Sequence, residues 1–197
     1  MSLIEMMENR RSVRAFNSEP VTDEELNKIL QAAMLAPNGK GLKPWSFVTI
    51  RDEKTLRDLV NCRKGGAKML ETATAAIAVY SDSDVTDTFI EDSSLVMGWM
   101  HLMASDLGLG SCWLQLRLRP SNEEGVSAEE FVNRRLAVFS PQRGLEKFAA
   151  DIVGGEQILL NPPVEHPCKR NFILPRRLEH GQHATEKIIA GRCQTGP

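Results

Sequence analysis

The sequence predicts an α+β fold in which helices flank one central sheet. Helical and strand-like segments alternate from residue 3 to about residue 137, and the strand-like segments are short and rich in apolar residues. The 197 residues are 42% hydrophobic with a net charge of -2, which is typical of a folded domain and not of a disordered chain. We therefore treat residues 1–197 as a single domain.

Local signals place the helices and strands. Thr22 and Glu25 form a capping box, apolar residues follow at helical spacing, and Pro37 ends that helix. Residues 87–107 form a long helix that is apolar nearly all round, so we expect it to be central and buried, and Gly108 ends it. The other predicted helices are 3–9, 53–60, 65–72 and 128–137, and the predicted strands are 45–50, 74–81, 111–118 and one near 147–153.

Composition and charge exclude several classes of protein. The chain has no basic surplus, which argues against a general nucleic-acid binder, and no apolar run of the ~20 residues that a membrane helix needs. In MSLIEMMENRR the charges follow the apolar residues, the reverse of a signal peptide, so we expect a cytoplasmic protein. The four cysteines form no CxxC pair, and Gly181 weakens a helix that would align His180 with His183. We expect free thiols and no metal.

A basic cluster follows the first helix. Arg10, Arg11, Ser12 and Arg14 place three guanidinium groups and a hydroxyl within five residues. Arginine binds phosphate through two parallel hydrogen bonds, and serine adds a donor. The cluster is therefore a candidate phosphate site, and the alternative is a solvated basic turn.

The loop APNGKGLKPW, residues 36–45, is a second candidate. Gly39 and Gly41 allow close backbone approach, Asn38 offers a donor and an acceptor, and Lys40 and Lys43 add positive charge. The spacing is not that of a P-loop, and the chain has no GxGxxG. The alternative is a loop that simply ends a helix before a strand.

The segment LGLGSCWLQLR, residues 107–117, is the third candidate. Gln115 is an amide among apolar neighbours and needs a partner when buried, either backbone or a ligand with an amide-like edge. Cys112 has no adjoining basic residue to lower its pKa, and Ser12 has no obvious histidine base. A hydrolase triad is therefore unsupported.

Taken together, these segments resemble the nitroreductase family of flavin enzymes. RRSVRAF is similar to the family's R-R-S-x-R-x-F, APNGKGLKPWSFV to A-P-S-x-x-N-x-Q-P-W-x-F, and LGLGSCWLQLRLR to G-L-G-x-C-W; SAEEFVNRRLAV resembles the next helix. The resemblance implies an interlocked FMN-binding homodimer with a mostly antiparallel sheet. It also implies a ping-pong oxidoreductase that takes electrons from NAD(P)H and reduces a small acceptor such as a nitroaromatic or a quinone.

The resemblance also assigns site residues. The flavin carries the chemistry, so no protein residue is expected to be catalytic, and the tasks of the protein are binding and orientation. Lys40, Lys43 and Lys68 are candidates for a cation beside the N1–O2 edge of the flavin. The implied cofactor-binding residues are Arg10, Arg11, Ser12 and Arg14 for the phosphate and ribityl chain, Pro37 and Asn38 at the flavin edge, Lys40, Gly41 and Leu42 from the partner subunit, Leu114 and Gln115 along the ring, and Arg192 near the end of the chain.

Several positions depart from the family pattern. Asn38 replaces a serine, Gly41 an asparagine and Lys43 a glutamine. Residues 139–197 match the pattern least, and we expect this region to extend over the partner subunit. Two alternative functions remain at this point: a non-catalytic flavin-binding protein, and a divergent member of the family that has lost FMN.

Overall fold

The computed structural model describes residues 2–136 and, for the backbone only, residues 182–192. The predicted strand near 147–153 and most of the region 139–197 lie outside the described residues. The β-strands are β1 (Trp45–Ile50), β2 (Ala75–Asp82), β3 (Leu109–Gln115) and β4 (Gln182–Arg192). The α-helices are α1 (Leu3–Asn9), α2 (Asp23–Leu35), α3 (Glu53–Asp58), α4 (Phe89–Asp106) and α5 (Ala128–Leu136), and 3₁₀ turns lie at Gly39–Gly41, Leu59–Cys62 and Lys68–Glu71.

The four strands form one antiparallel sheet in the order β1-β2-β4-β3. Every residue of β2 is buried, because helices cover both faces of the sheet. Ile77 and Val79 pack with α2 and α4 on one face, whereas Ala78 and Tyr80 pack with α3 and α5 on the other. The predicted α+β fold with a central antiparallel sheet flanked by helices is confirmed.

Capping explains why helix α2 begins where it does. The Glu25 amide donates to Thr22 Oγ1 at 3.2 Å, and the Glu25 carboxylate accepts from the Thr22 amide at 2.8 Å, so the predicted capping box is present. Helix α4 ends before Gly108, whose φ of +74° lies in the left-handed region that favours glycine. Both ends were predictable because each depends on residues adjacent in sequence.

Two predicted elements differ from the structure for local reasons. Residues 65–72 form only a 3₁₀ turn at Lys68–Glu71, since Gly65 has a φ of +69° and interrupts the helix. Strand β3 spans 109–115 and not 111–118, because Leu118 has a φ of +58° in the turn that follows. The long helix is only partly as predicted: Met97 and Met100 are fully buried, but Leu95 and Trp99 are 43% and 40% exposed.

Strand β4 was not predicted. It lies between β2 and β3, so the sheet depends on a strand from the C-terminal region. The strand includes His183, which the sequence analysis considered as part of a helix with His180. Within residues 2–136 no group of three or more His, Cys, Asp or Glu side chains is arranged to hold a metal, and no described helix is long and apolar enough to cross a membrane.

Candidate functional site

The basic segment 10–14 lies beside β3, which is the last strand of the sheet among the described residues. Ser12 pairs with Ser111 in a parallel bridge in which the Val13 amide donates to the Ser111 carbonyl at 3.0 Å. Val13 packs against the core and Phe16 is buried within it, which anchors the segment. The polar side chains between these anchors are thereby held at the sheet edge.

The arginines of this segment have no acidic partners among residues 2–136. Arg11, Ser12 and Arg14 are exposed, and Arg10 is half-buried. Within the described residues, Arg11 and Arg14 donate to backbone carbonyls: Arg11 to those of Glu8 and Arg10, and Arg14 to that of Ser12 at 3.3 Å. An uncompensated arginine cluster on a rigid strand edge suits an anion such as phosphate.

Arg63, from a different part of the chain, acts electrostatically on the same strand residue as Arg14. Burial raises the pKa of the Cys112 thiol, while the positive charges of Arg14 and Arg63 act on it in the opposite direction. Both guanidinium groups therefore lie within electrostatic reach of one strand residue. Arg63 has no ion pair among the described residues, like the arginines of segment 10–14.

A buried histidine supports the same strand from helix α4. His101 Nδ1 lies 2.7 Å from Ser111 Oγ, and the residue is only 7% exposed. Burial, with the nearby positive charge of Arg10 as the second cause, lowers the pKa of His101 to about 4. The imidazole is therefore neutral at pH 7, and it fixes the residue whose carbonyl holds segment 10–14.

The loop at residues 37–44 has a tightly defined backbone. The Lys43 amide donates to Asn38 Oδ1 at 2.9 Å, while Lys40 and Lys43 both adopt left-handed conformations with φ of +58° and +49°. Pro37, Lys40, Gly41 and Leu42 are exposed, and Asn38 is half-buried. The loop thus presents a ridge of exposed residues on a fixed backbone.

The first turn of helix α4 holds this loop. The Gly39 amide donates to Asp92 Oδ1 at 2.8 Å, and Thr88 Oγ1 donates to Asp92 Oδ2 at 3.1 Å. Asp92 is 2% exposed. Lys40 Nζ lies 3.3 Å from Asp87 Oδ1 in an exposed ion pair, whereas Lys43 and Lys68 have no ion pair among the described residues.

Strand β3 connects the two regions. Ser111 lies opposite Ala190 and Gln115 opposite Glu186, so β3 runs from segment 10–14 toward the end of the sheet where the loop joins β1. Ser111 and Gln115 are about 13 Å apart along the strand. Leu114 is fully buried, whereas Gln115 is half-buried.

Segment 10–14 and loop 37–44 do not meet within one chain. On α4, Asp92 binds loop 37–44, whereas His101 binds Ser111, the strand residue that holds segment 10–14. These two α4 residues are nine positions apart, which corresponds to about 14 Å of helix. Segment 10–14 adjoins β3 and loop 37–44 leads into β1. These two strands are three strand spacings, or about 14 Å, apart in the described sheet. The Arg192 backbone ends β4 opposite Leu109, at the sheet end nearest segment 10–14. The roles of all these residues in cofactor binding stay predictions.

Comparison with known proteins assigns the family. The model of the nitroreductase family matches residues 7–62. The chain is 33% identical over 141 residues to an Archaeoglobus fulgidus protein named "Putative NADH dehydrogenase/NAD(P)H nitroreductase", covering 70% of this chain and 80% of the relative. A Methanothermobacter thermautotrophicus protein of the same name is 30% identical over 181 residues, covering 90% of this chain and 86% of the relative.

Solved structures agree with this assignment. A structure named an FMN-dependent nitroreductase from Clostridium difficile R20291 superposes with a TM-score of 0.74 at 29% identity, covering 98% of this chain and 89% of that one. A Parabacteroides distasonis structure has the same fold, with a TM-score of 0.70 at 21% identity, covering 99% of this chain and 89% of that one. The chain belongs to the nitroreductase family, as its motifs predict.

Sequence reasoning did not connect Arg63, Asp92 or His101 to the candidate site. Arg63 follows the segment that the family model matches and carries no motif of its own. Asp92 and His101 lie within a helix that reads as core, and a polar residue inside an apolar helix was the available signal. Each gains its role from a residue that is distant in the chain or on another element.

Proposed function

We propose that this protein is a homodimeric FMN-dependent oxidoreductase. It would take reducing equivalents from NAD(P)H and pass them to a small acceptor such as a nitroaromatic or a quinone in a ping-pong cycle. We further propose that it acts in the cytoplasm. The observation that carries the proposal is the arginine cluster of segment 10–14, which lies beside β3 without acidic partners among residues 2–136.

The cluster fits the phosphate of FMN. Arg10, Arg14 and Arg63 supply charge, and the Ser12 hydroxyl and exposed backbone supply further donors. A dianionic phosphate would relieve the mutual repulsion of these cations. The phosphate group, which riboflavin lacks, is therefore the part of FMN that this cluster would recognise.

The direction of β3 supports a position for the flavin ring. From the arginine cluster, the strand leads to Gln115, whose half-buried amide could hydrogen-bond the polar edge of the ring. A cation near the N1–O2 edge would stabilise the reduced, anionic flavin. Lys43 and Lys68 suit this role better than Lys40, because Lys40 already pairs with Asp87.

An exposed apolar patch supports the homodimer. Helix α1 packs on helix α4, and five large apolar residues on these two helices are between 40% and 63% exposed. These residues are Leu3, Ile4, Met7, Leu95 and Trp99. Contiguous exposed apolar patches mark association surfaces. We propose that a second copy packs on this patch and that loop 37–44 of one subunit reaches the flavin of the other.

The residues fit a cofactor-dependent reaction. FMN, when bound, supplies the hydride and electron transfer, and the protein supplies binding, orientation and electrostatics. The arginines hold the phosphate, Gln115 orients the ring, and loop 37–44 closes one side of the site. No general acid or base of the protein is required, which agrees with the absence of such a pair from the motifs.

Visible absorption and anaerobic reduction test the proposal. The purified protein, with FMN added and the excess removed, should show the visible absorption bands of bound flavin. NADPH or NADH should bleach these bands rapidly in a stopped-flow experiment. Protein that stays colourless would contradict the proposal and favour a divergent member without FMN. A yellow protein that neither nucleotide reduces would favour a non-catalytic flavin-binding protein.

A further inference from the structure

We propose that Asp92 is a positioning residue that holds loop 37–44 in the conformation needed at the flavin. This inference rests on the proposed function, because it assigns the loop to the cofactor site. It adds a residue of helix α4 that no motif identifies. The observation that carries it is a nearly fully buried carboxylate whose two oxygens bind the loop and the start of the helix.

The Asp92 carboxylate binds two different parts of the chain. Asp92 Oδ1 accepts from the Gly39 amide at 2.8 Å, and Asp92 Oδ2 accepts from Thr88 Oγ1 at 3.1 Å. Thr88 Oγ1 lies 2.9 Å from Thr86 Oγ1, which fixes the threonine in turn. The Gly39 amide is therefore joined to the helix through a buried hydrogen bond, and breaking it would leave a buried donor without a partner.

The loop approaches the first turn of α4 closely at Gly39. A Cβ atom on Gly39 would lie 2.4 Å from Thr88 Oγ1, a distance that real Cβ atoms essentially never show. The loop therefore lies directly on the first turn of α4. A side chain at position 39 would have to displace either the loop or the Thr88 hydroxyl, and Asp92 and Thr86 hold that hydroxyl in place.

Two lysines of the loop have an unusual backbone conformation. Lys40 and Lys43 both have positive φ, which residues with a side chain adopt reluctantly. Such conformations persist where surrounding contacts over-determine them. Asp92 holds the loop before Lys40, and Asn38 Oδ1 accepts from the Lys43 amide, so the two left-handed lysines lie between fixed points.

Asp92 differs in this respect from its neighbour Asp87. The Lys40–Asp87 ion pair is exposed on both sides, with side chains 69% and 81% accessible. Exposed ion pairs contribute little to stability. Asp87 is therefore a matched control: it is an acidic residue that contacts the same loop, but it is not buried and does not bind the loop backbone.

The experiment compares five variants of the full chain: Asp92→Ala, Asp92→Asn, Asp87→Asn, Gly39→Ala and the double variant Gly39→Ala/Thr88→Ala. In hydrogen–deuterium exchange, Asp92→Ala should increase the exchange rate of the Gly39 amide by about ten-fold or more, because it removes the acceptor. This readout does not depend on FMN. With FMN, Asp92→Ala should weaken binding by about ten-fold and change the visible circular dichroism of the flavin at saturation.

The conservative variant separates positioning from general stability. Asp92→Asn keeps an oxygen acceptor for the Gly39 amide, so its flavin dichroism should match that of the wild type. Asp87→Asn should leave FMN affinity within about two-fold. Gly39→Ala should reproduce the effect of Asp92→Ala with the carboxylate intact, and adding Thr88→Ala, which removes the obstructing hydroxyl, should reverse it. This pair tests the proposal even where Asp92→Ala fails to fold.

Two results would overturn the inference. One is unchanged exchange at Gly39 in Asp92→Ala, and the other is unchanged FMN affinity and flavin dichroism in both Asp92→Ala and Gly39→Ala. A wild-type protein that does not bind FMN would instead defeat the proposed function. In that case the exchange measurement still decides whether Asp92 holds the loop.

Discussion

The buried pair of His101 and Ser111 predicts a specific loss of stability in acid. Burial and the charge of Arg10 lower the pKa of His101 to about 4, against 6.5 for the unperturbed side chain. Between these values the unfolded chain binds a proton that the folded chain does not. The free energy of unfolding therefore falls as the pH drops below about 6.5, and this contribution levels off below about pH 4.

The magnitude follows from the two pKa values. Between pH 7 and pH 5, the linkage amounts to about 2 kcal/mol of lost stability from this one residue. The substitution His101→Gln removes the titrating group and keeps an amide that can hydrogen-bond Ser111 Oγ. Its free energy of unfolding should then depend less on pH than that of the wild type by about this amount.

Urea denaturation at pH 7, 6 and 5 measures the difference. Both proteins share all other titrating groups, so subtracting the two pH profiles isolates His101. The wild type should lose about 2 kcal/mol more than His101→Gln between pH 7 and pH 5. Parallel pH profiles would refute the reasoning, since they would mean that His101 titrates alike in the folded and unfolded states.

Three further predictions test the phosphate site, the dimer and the fold. Arg63→Ala should weaken FMN binding by about ten-fold in fluorescence titrations, because a charge-assisted contact is lost. The control Arg57→Ala removes an exposed cation that pairs with Glu53, and it should leave FMN binding unchanged. Trp99→Glu should convert a dimer to a monomer in light scattering, and an unchanged mass would place the interface elsewhere. Thr22→Ala should lower stability by about 1 kcal/mol in thermal unfolding, through loss of the capping box on α2, and an unaltered Tm would show that this cap contributes nothing.

Much of the fold could be predicted because its signals are local. The Thr22 capping box, Pro37 and Gly108 mark helix ends through residues that are adjacent in sequence. Strand β4 could not be predicted in this way. It is a strand because β2 and β3 pair with it on both sides, and those strands lie about 70 to 115 residues earlier in the chain.

The same distinction applies to the candidate site. Arg10, Ser12 and Arg14 belong to one short motif, so the sequence identifies them together. Asp92 contacts a loop 53 residues earlier, and Arg63 approaches Cys112 from another element. No local pattern records such contacts, and only the folded chain brings these residues together.

The central claim is that the arginine cluster at the edge of β3 binds the phosphate of FMN. The most direct test is the ratio of the Kd for riboflavin to the Kd for FMN, measured for the wild type and for Arg14→Ala. Riboflavin has the same ring and ribityl chain and lacks only the phosphate. We predict that the wild type prefers FMN by about 100-fold or more and that Arg14→Ala reduces this preference by about ten-fold or more, with riboflavin affinity unchanged. Equal affinity of the wild type for FMN and riboflavin would contradict the claim.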